Sequence, residues 1–165
     1  MTRHNGPMSA EDPQKLIAAI EEQENRLVFT SFTETDAWRL GSLLVRLATE
    51  RSLPVALDIR RGQQQLFHAA LPGASADNDA WIDRKVRVVY RYAASSYLVG
   101  RRLAAKGREL DASQGVDPAR YAAHGGAFPV RLPGAGVIGV VTVSGLPQAD
   151  DHALVVEAIE TFLAG

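Results

Sequence analysis

Apolar residues recur at two different spacings in the 165 residues, and the spacings mark out a series of helices and strands. Leu16, Ala19 and Ile20 form a stripe, with Glu21, Glu22 and Glu24 turned to water. Asp12 before Pro13 caps this first helix. Leu27-Val28-Phe29 predicts a short strand. Thr33-Glu34-Thr35-Asp36 has capping-box spacing and opens a second helix. Its apolar positions are Ala37, Leu40, Gly41, Leu44, Leu47 and Ala48. A glycine inside such a helix costs nearly ~1 kcal/mol against alanine, which predicts a close neighbour at Gly41.

Beyond Pro54 the period changes to two. Val55, Leu57 and Ile59 alternate with Ala56, Asp58 and Arg60, Gly62 turns the chain, and Gln64 to Leu71 return as the second strand of a hairpin. Residues 79–107 are helical, with Trp81, Lys85, Val88, Val89 and Tyr92 in register. Ala93-Ala94-Ser95-Ser96 leaves one helix and two equally open. Asp117-Pro118 predicts a short helix through Ala122. Ala127–Leu132 and Val137–Val143 read as two strands joined by a turn at Pro133 to Gly136. Asp150 or Asp151 caps a last helix carrying Leu154, Val155, Ala158, Ile159 and Phe162. Five strands with two hairpins predict an α/β (α+β) fold: one domain over residues 11–165, with an antiparallel five-stranded sheet and packed helices behind a loose tail at 1–10.

Composition narrows the chemistry. No cysteine is present, which excludes a disulfide scaffold, thiol catalysis and cysteine-based metal sites. No apolar run reaches the length of a membrane span and the N-terminus lacks a signal-like core, so a cytoplasmic chain with no membrane role is expected. Net charge is only −1, yet residues 80–110 hold eight basic side chains and two acidic ones. Such a surface suits phosphate, carboxylates such as haem propionates, or an acidic subunit face. No conventional nucleic-acid module is visible.

Gly134 to Gly139 has G-x-G-x-x-G spacing but leads into a strand, with no helix to meet a pyrophosphate. It predicts a hairpin turn and one glycine packed closely inside a strand. No serine sits in a nucleophile elbow, and no histidine pair has metal-site spacing. His68, among apolar neighbours, reads as packed. Two segments carry more. In His124-Gly125-Gly126-Ala127-Phe128-Pro129, paired glycines permit an anion nest beside a histidine able to ligate metal or move a proton. Ser144-Gly145-Leu146 before Asp151-His152 joins a strand end to a helix start, a common place for a ligand anion.

Asn78-Asp79-Ala80-Trp81-Ile82-Asp83-Arg84-Lys85, Ser95-Ser96, Tyr121 through Pro129, Gly136-Val137-Ile138-Gly139, Val143 through Pro147 and Asp151-His152 occur in that order. Together they resemble the UPF0303 family, within the wider haem-degrading-domain group of GlcG-like and HbpS-like proteins. The resemblance implies a profilin-like, GlcG-like α/β domain and symmetric homo-oligomers. It also implies that Asn78, Trp81, Arg84, Lys85, Ser96, His124, Gly125, Gly126 and His152 converge on one pocket or one subunit interface. The expectation is a small-ligand-binding protein for haem or another anionic cofactor. His124 would contact the metal, Arg84 and Lys85 would neutralise carboxylates, and Trp81 would supply apolar area. An adaptor with no small ligand, and a haem-degrading or other small-molecule enzyme, are the alternatives.

Overall fold

The computed structural model describes residues 12–165; the expected tail at 1–10 lies outside them. The elements run α1 (Pro13–Arg26), α2 (Glu34–Glu50), β1 (Ala56–Arg61), β2 (Gln64–Ala70), α3 (Ala76–Tyr92), α4 (Ser96–Ala105), β3 (Ala127–Leu132), β4 (Gly136–Ser144) and α5 (Gln148–Ala164), with a 3-10 turn at Ala112–Gln114. The early caps form as the side chains dictate. Asp12 Oδ1 accepts the Lys15 N–H at 3.0 Å, and Thr33 and Asp36 bond each other's backbone N–H reciprocally.

The sheet has four strands, in the order β2-β1-β4-β3, and all neighbours are antiparallel. This corrects the expectation of five. Leu27-Val28-Phe29 does not join the sheet. The Phe29 N–H donates to the Arg131 carbonyl at 2.9 Å, and no further pairing follows. The free edge of β3 supplies the reason. The Ala127 N–H is taken by Ser96 Oγ at 3.1 Å, and Pro129, next along that edge, has no N–H to offer. Only Arg131 is left to bond. Leu27 and Phe29 are instead buried as core residues.

Helices cover both faces of the sheet. α2 and α5 lie on one, where Leu40, Leu44, Val155 and Ile159 meet Leu57, Ile59, Val141 and Val143. α3 lies on the other, with Ile82, Val86 and Val89 against Ala56, Ala127 and Val140. α4 flanks β3 between α3 and α5, and α1 packs outside it through Ile17 and Ile20. Two glycines make this closeness possible. A Cβ at Gly41 would stand 2.4 Å from the Phe67 ring, and one at Gly139 would stand 2.4 Å from the Arg60 carbonyl oxygen. The close neighbour expected at Gly41 is thus Phe67 of β2.

The 79–107 stretch resolves into two helices. Ala93 adopts the left-handed conformation at φ 54°, and Ser95 Oγ accepts the Leu98 N–H at 3.1 Å to start α4. α3 begins at Ala76, earlier than expected, because Asn78 Oδ1 accepts the Ser75 N–H at 2.8 Å. The helix expected from Asp117 is a turn. Asp117 Oδ1 accepts the Ala119 N–H at 2.9 Å, and the chain then runs along α3, with the Ala122 N–H donating to the Arg84 carbonyl at 3.1 Å. α5 begins at Gln148 after Pro147, so neither Asp150 nor Asp151 is its N-cap.

Candidate functional site

The loop 121–126 crosses the N-terminal half of α3 and meets the start of α5. Two clefts open there, one on each side of His124. The smaller, about 260 Å³, is lined by Trp81, Lys85, Ser144, Gln148 and Asp151 together with His124. The larger, about 580 Å³, runs between α3, α4 and the 118–124 segment, and carries Arg84, Arg101 and Arg108.

One turn of α3 places Trp81, Arg84 and Lys85 around this junction. The Arg84 guanidinium stands 4.5 Å over the Trp81 ring, while its Nη2 donates to the Pro118 carbonyl at 3.1 Å. The Trp81 and His124 ring centroids are 5.3 Å apart. His124 is exposed, and its pKa lies below the ordinary imidazole value. Partial desolvation is the main cause, and Lys85, Arg84 and Arg101 disfavour an imidazolium further. The ring is therefore neutral at pH 7, with a nitrogen lone pair free to accept a hydrogen bond or bind a metal.

Lys85 lies deeper, only 3% exposed. Its Nζ reaches Asp151 Oδ2 and the Val143 carbonyl, both at 3.2 Å. The Asp151 carboxylate also accepts the Gly145 and Leu146 N–H groups at 3.3 and 3.0 Å. Burial pushes the Lys85 pKa down and the Asp151 pKa up to about 6, with the ion pair opposing both shifts. Both anion sites suggested by the glycines are filled internally. Asp151 occupies the turn at 144–146, and the Gly125 N–H donates to Gln148 Oε1 at 2.9 Å. Glycine is required at 125 and 126 by space. A Cβ there would meet the Gln148 and Val143 carbonyl oxygens, each at 2.3 Å, and Gly126 has φ 136°.

Ser96 and His152 stand apart from the clefts. Ser96 is buried under the β3 edge, where it holds the Ala127 N–H. His152 is buried between Tyr97 and Phe128, at 4.9 and 5.9 Å between ring centroids. Its Nε2 lies 2.7 Å from Gln23 Oε1, which assigns the proton to Nε2, and Nδ1 has no partner among the described residues. Burial lowers its pKa to about 4. Asn78 lines the smaller cleft while serving as the cap of α3. His68 contacts Asp79 Oδ1 at 2.7 Å on the β2 side. Gln148 carries no signal in the sequence, and Arg101 and Arg108 stand out there only as members of the basic stretch 80–110, not as site residues. From the sequence Asp151 reads as a cap or a helix-start site residue; its pairing with Lys85 exists only because the fold brings α5 against α3.

Among the described residues, no group of three or more His, Cys, Asp and Glu side chains is placed to hold a metal ion, and no helix is long and apolar enough to cross a membrane.

The family described as haem degrading protein HbpS-like matches residues 32–160. A UPF0303 protein of Streptomyces coelicolor is 62% identical over 156 residues, covering 94% of this chain and 99% of the relative. The crystal structure of the Ybr137w protein superposes with a TM-score of 0.81 at 31% identity, over 90% of this chain and 87% of that one. A crystal structure of a PduOC–heme complex shares the fold, with a TM-score of 0.66 at 17% identity over 79% of this chain and 94% of that one. With a family model over most of its length and a relative at 62% identity, the chain belongs to the UPF0303 family within the HbpS-like group.

Proposed function

We propose that this protein binds a small anionic cofactor at the junction beside His124, and that haem is the cofactor to test first. The observation that carries the reading is His124 itself, an exposed imidazole held neutral at the mouth of two clefts and flanked by Arg84 and Arg101. A single histidine suits a metal whose other ligands arrive with the cofactor.

The residues fit haem on two further counts. Arg84 and Arg101 line the larger cleft, and among the described residues neither has a carboxylate partner, so their guanidiniums are available to propionate oxygens. Leu103, Leu110 and Tyr121 give the larger cleft an apolar wall for a macrocycle. Bound haem would supply a redox-active iron. The chain's own residues would bind and orient it: His124 at the metal, Arg84 and Arg101 at the carboxylates, and Trp81 fixing the His124 ring from behind. Lys85 is committed to Asp151 and would act by holding the 144–146 turn in place, as Gly125 and Gly126 do by letting the loop approach. Ser96 and His152 support the sheet edge and the core behind it. The PduOC–heme complex shows a protein of this fold holding heme.

The test is a haemin titration followed by absorption and native mass spectrometry. One haem per chain is expected, with a Soret band that moves or collapses in His124→Ala. No mass shift, or an identical spectrum in the variant, would remove haem from this site. A second reading, a homo-oligomeric interaction protein, is favoured by Trp38, which is 65% exposed beside Phe67 of the open-edged strand β2.

A further inference from the structure

The arginines of this protein fall into two groups. Arg26, Arg39, Arg46, Arg51, Arg60, Arg61, Arg102 and Arg131 each pair with a carboxylate. The other six described arginines have no carboxylate partner among the described residues. Three of these, Arg84, Arg101 and Arg108, line the larger cleft beside His124. The remaining three, Arg87, Arg91 and Arg120, line a different groove of about 530 Å³ on the far half of α3.

That groove lies between α3, the β1–β2 turn and the 118–121 segment. Arg87 Nη1 donates to the Arg120 carbonyl at 2.9 Å, and Arg91 Nη2 donates to the Gln114 carbonyl at 3.1 Å. A guanidinium carries five N–H donors, so each bond to the main chain fixes the group's position and leaves most donors free. Arg60 lines the same groove, but its charge is spent on Asp58 at 2.8 Å and Asp83 at 2.6 Å. Asp83 is the groove's acidic residue; Arg60 is shared between it and Asp58, so this trio keeps one negative charge against the three remaining arginines. Three guanidiniums without a carboxylate partner among the described residues face one space, two of them, Arg87 and Arg91, held by the main chain and the third, Arg120, exposed. Tyr90, whose hydroxyl donates to the Gly62 carbonyl at 2.7 Å, and Tyr121 add aromatic surface to the walls.

We propose that this groove is a second ligand site, separate from the one beside His124, and that it takes a phosphorylated small molecule of the nucleoside diphosphate type. Three arginines against the one negative charge left on the Arg60–Asp58–Asp83 group leave a surplus of two positive charges, more than one carboxylate balances and suited to a diphosphate. The planar guanidinium fork suits phosphate oxygens bidentately. A volume of about 530 Å³ holds a diphosphate with an organic body laid against Tyr90 and Tyr121.

Calorimetric titration of the full chain with ADP and with inorganic pyrophosphate tests this. Saturable binding of either probe, one equivalent per chain and weakening as salt is raised, is the expected result. Arg120→Gln should weaken it by about tenfold, the loss of one charge-assisted contact. Arg120 is exposed, and its side chain makes no hydrogen bond among the described residues, so this variant should fold normally. Arg91→Lys, which keeps the charge but loses the fork, should also weaken binding. His124→Ala should leave it unchanged, which separates this groove from the proposed cofactor site. Failure of both probes to saturate, equal affinity in both arginine variants, or loss of binding in His124→Ala would overturn the proposal.

Discussion

At the residue scale, two neighbours on α5 respond to acid in opposite directions. His152 has a folded pKa near 4, below the ordinary 6.5. Its stabilising contribution is complete above pH 6.5 and is lost as pH falls toward 4, an effect of up to about 3 kcal/mol. Asp151 has a folded pKa near 6, above the ordinary 3.8, so its contribution is complete below 3.8 and lost as pH rises through 6. Between pH 7 and 5 the two offset each other. His152→Phe keeps the ring between Tyr97 and Phe128 and removes one side of the balance. The variant should become more stable from pH 7 to pH 5 while the parent stays nearly level, read as urea midpoints at each pH. Equal slopes for both proteins would show that His152 does not titrate in this window. Neither role was readable from residue type. Asp151-His152 looked like a helix start facing a ligand, and both side chains point inward because α5 begins three residues before Asp151.

At the scale of the element, local rules served well wherever the deciding atoms were close in sequence. The caps at Asp12 and Thr33, the β1–β2 hairpin and the β3–β4 hairpin all formed as their side chains and turn residues dictate. The Leu27 to Phe29 segment failed because its partner edge was closed by Ser96 and by Pro129, residues more than sixty positions away. Gly41 is an element-scale prediction with a test. An alanine there gains roughly 1 kcal/mol of helix propensity but drives its methyl into the Phe67 ring, an overpacking of about 1–3 kcal/mol. Gly41→Ala should therefore lower the melting temperature. Adding Phe67→Leu should return part of the loss, giving a positive coupling in a double-mutant cycle. A fully additive cycle would mean that the α2–β2 contact is not the constraint.

At the scale of the whole molecule, β1 and β4 belong to both cores at once. Leu57 and Val143 face α2 and α5, while Ala56 and Val140 on the same strands face α3. Losing either layer strips the sheet the other needs, so unfolding should be a single transition. Trp38 and Trp81 lie on opposite layers and report separately. Fluorescence of Trp38→Phe follows the α3 side, that of Trp81→Phe follows the α2 side, and each midpoint should coincide with loss of helical ellipticity in the same variant. Midpoints that separate from the ellipticity would mean the layers melt independently. The amino-acid sequence alone determined the helical and strand periods, most boundaries, the absence of cysteine chemistry, the basic stretch and the family. These depend on neighbours within a turn or a hairpin, or on residue identity. The strand count, the internal filling of both glycine loops, the Lys85–Asp151 pair, and the division of arginines into paired and unpaired sets came from tertiary contacts. Each depends on which distant groups share a space, and chain spacing carries no record of that.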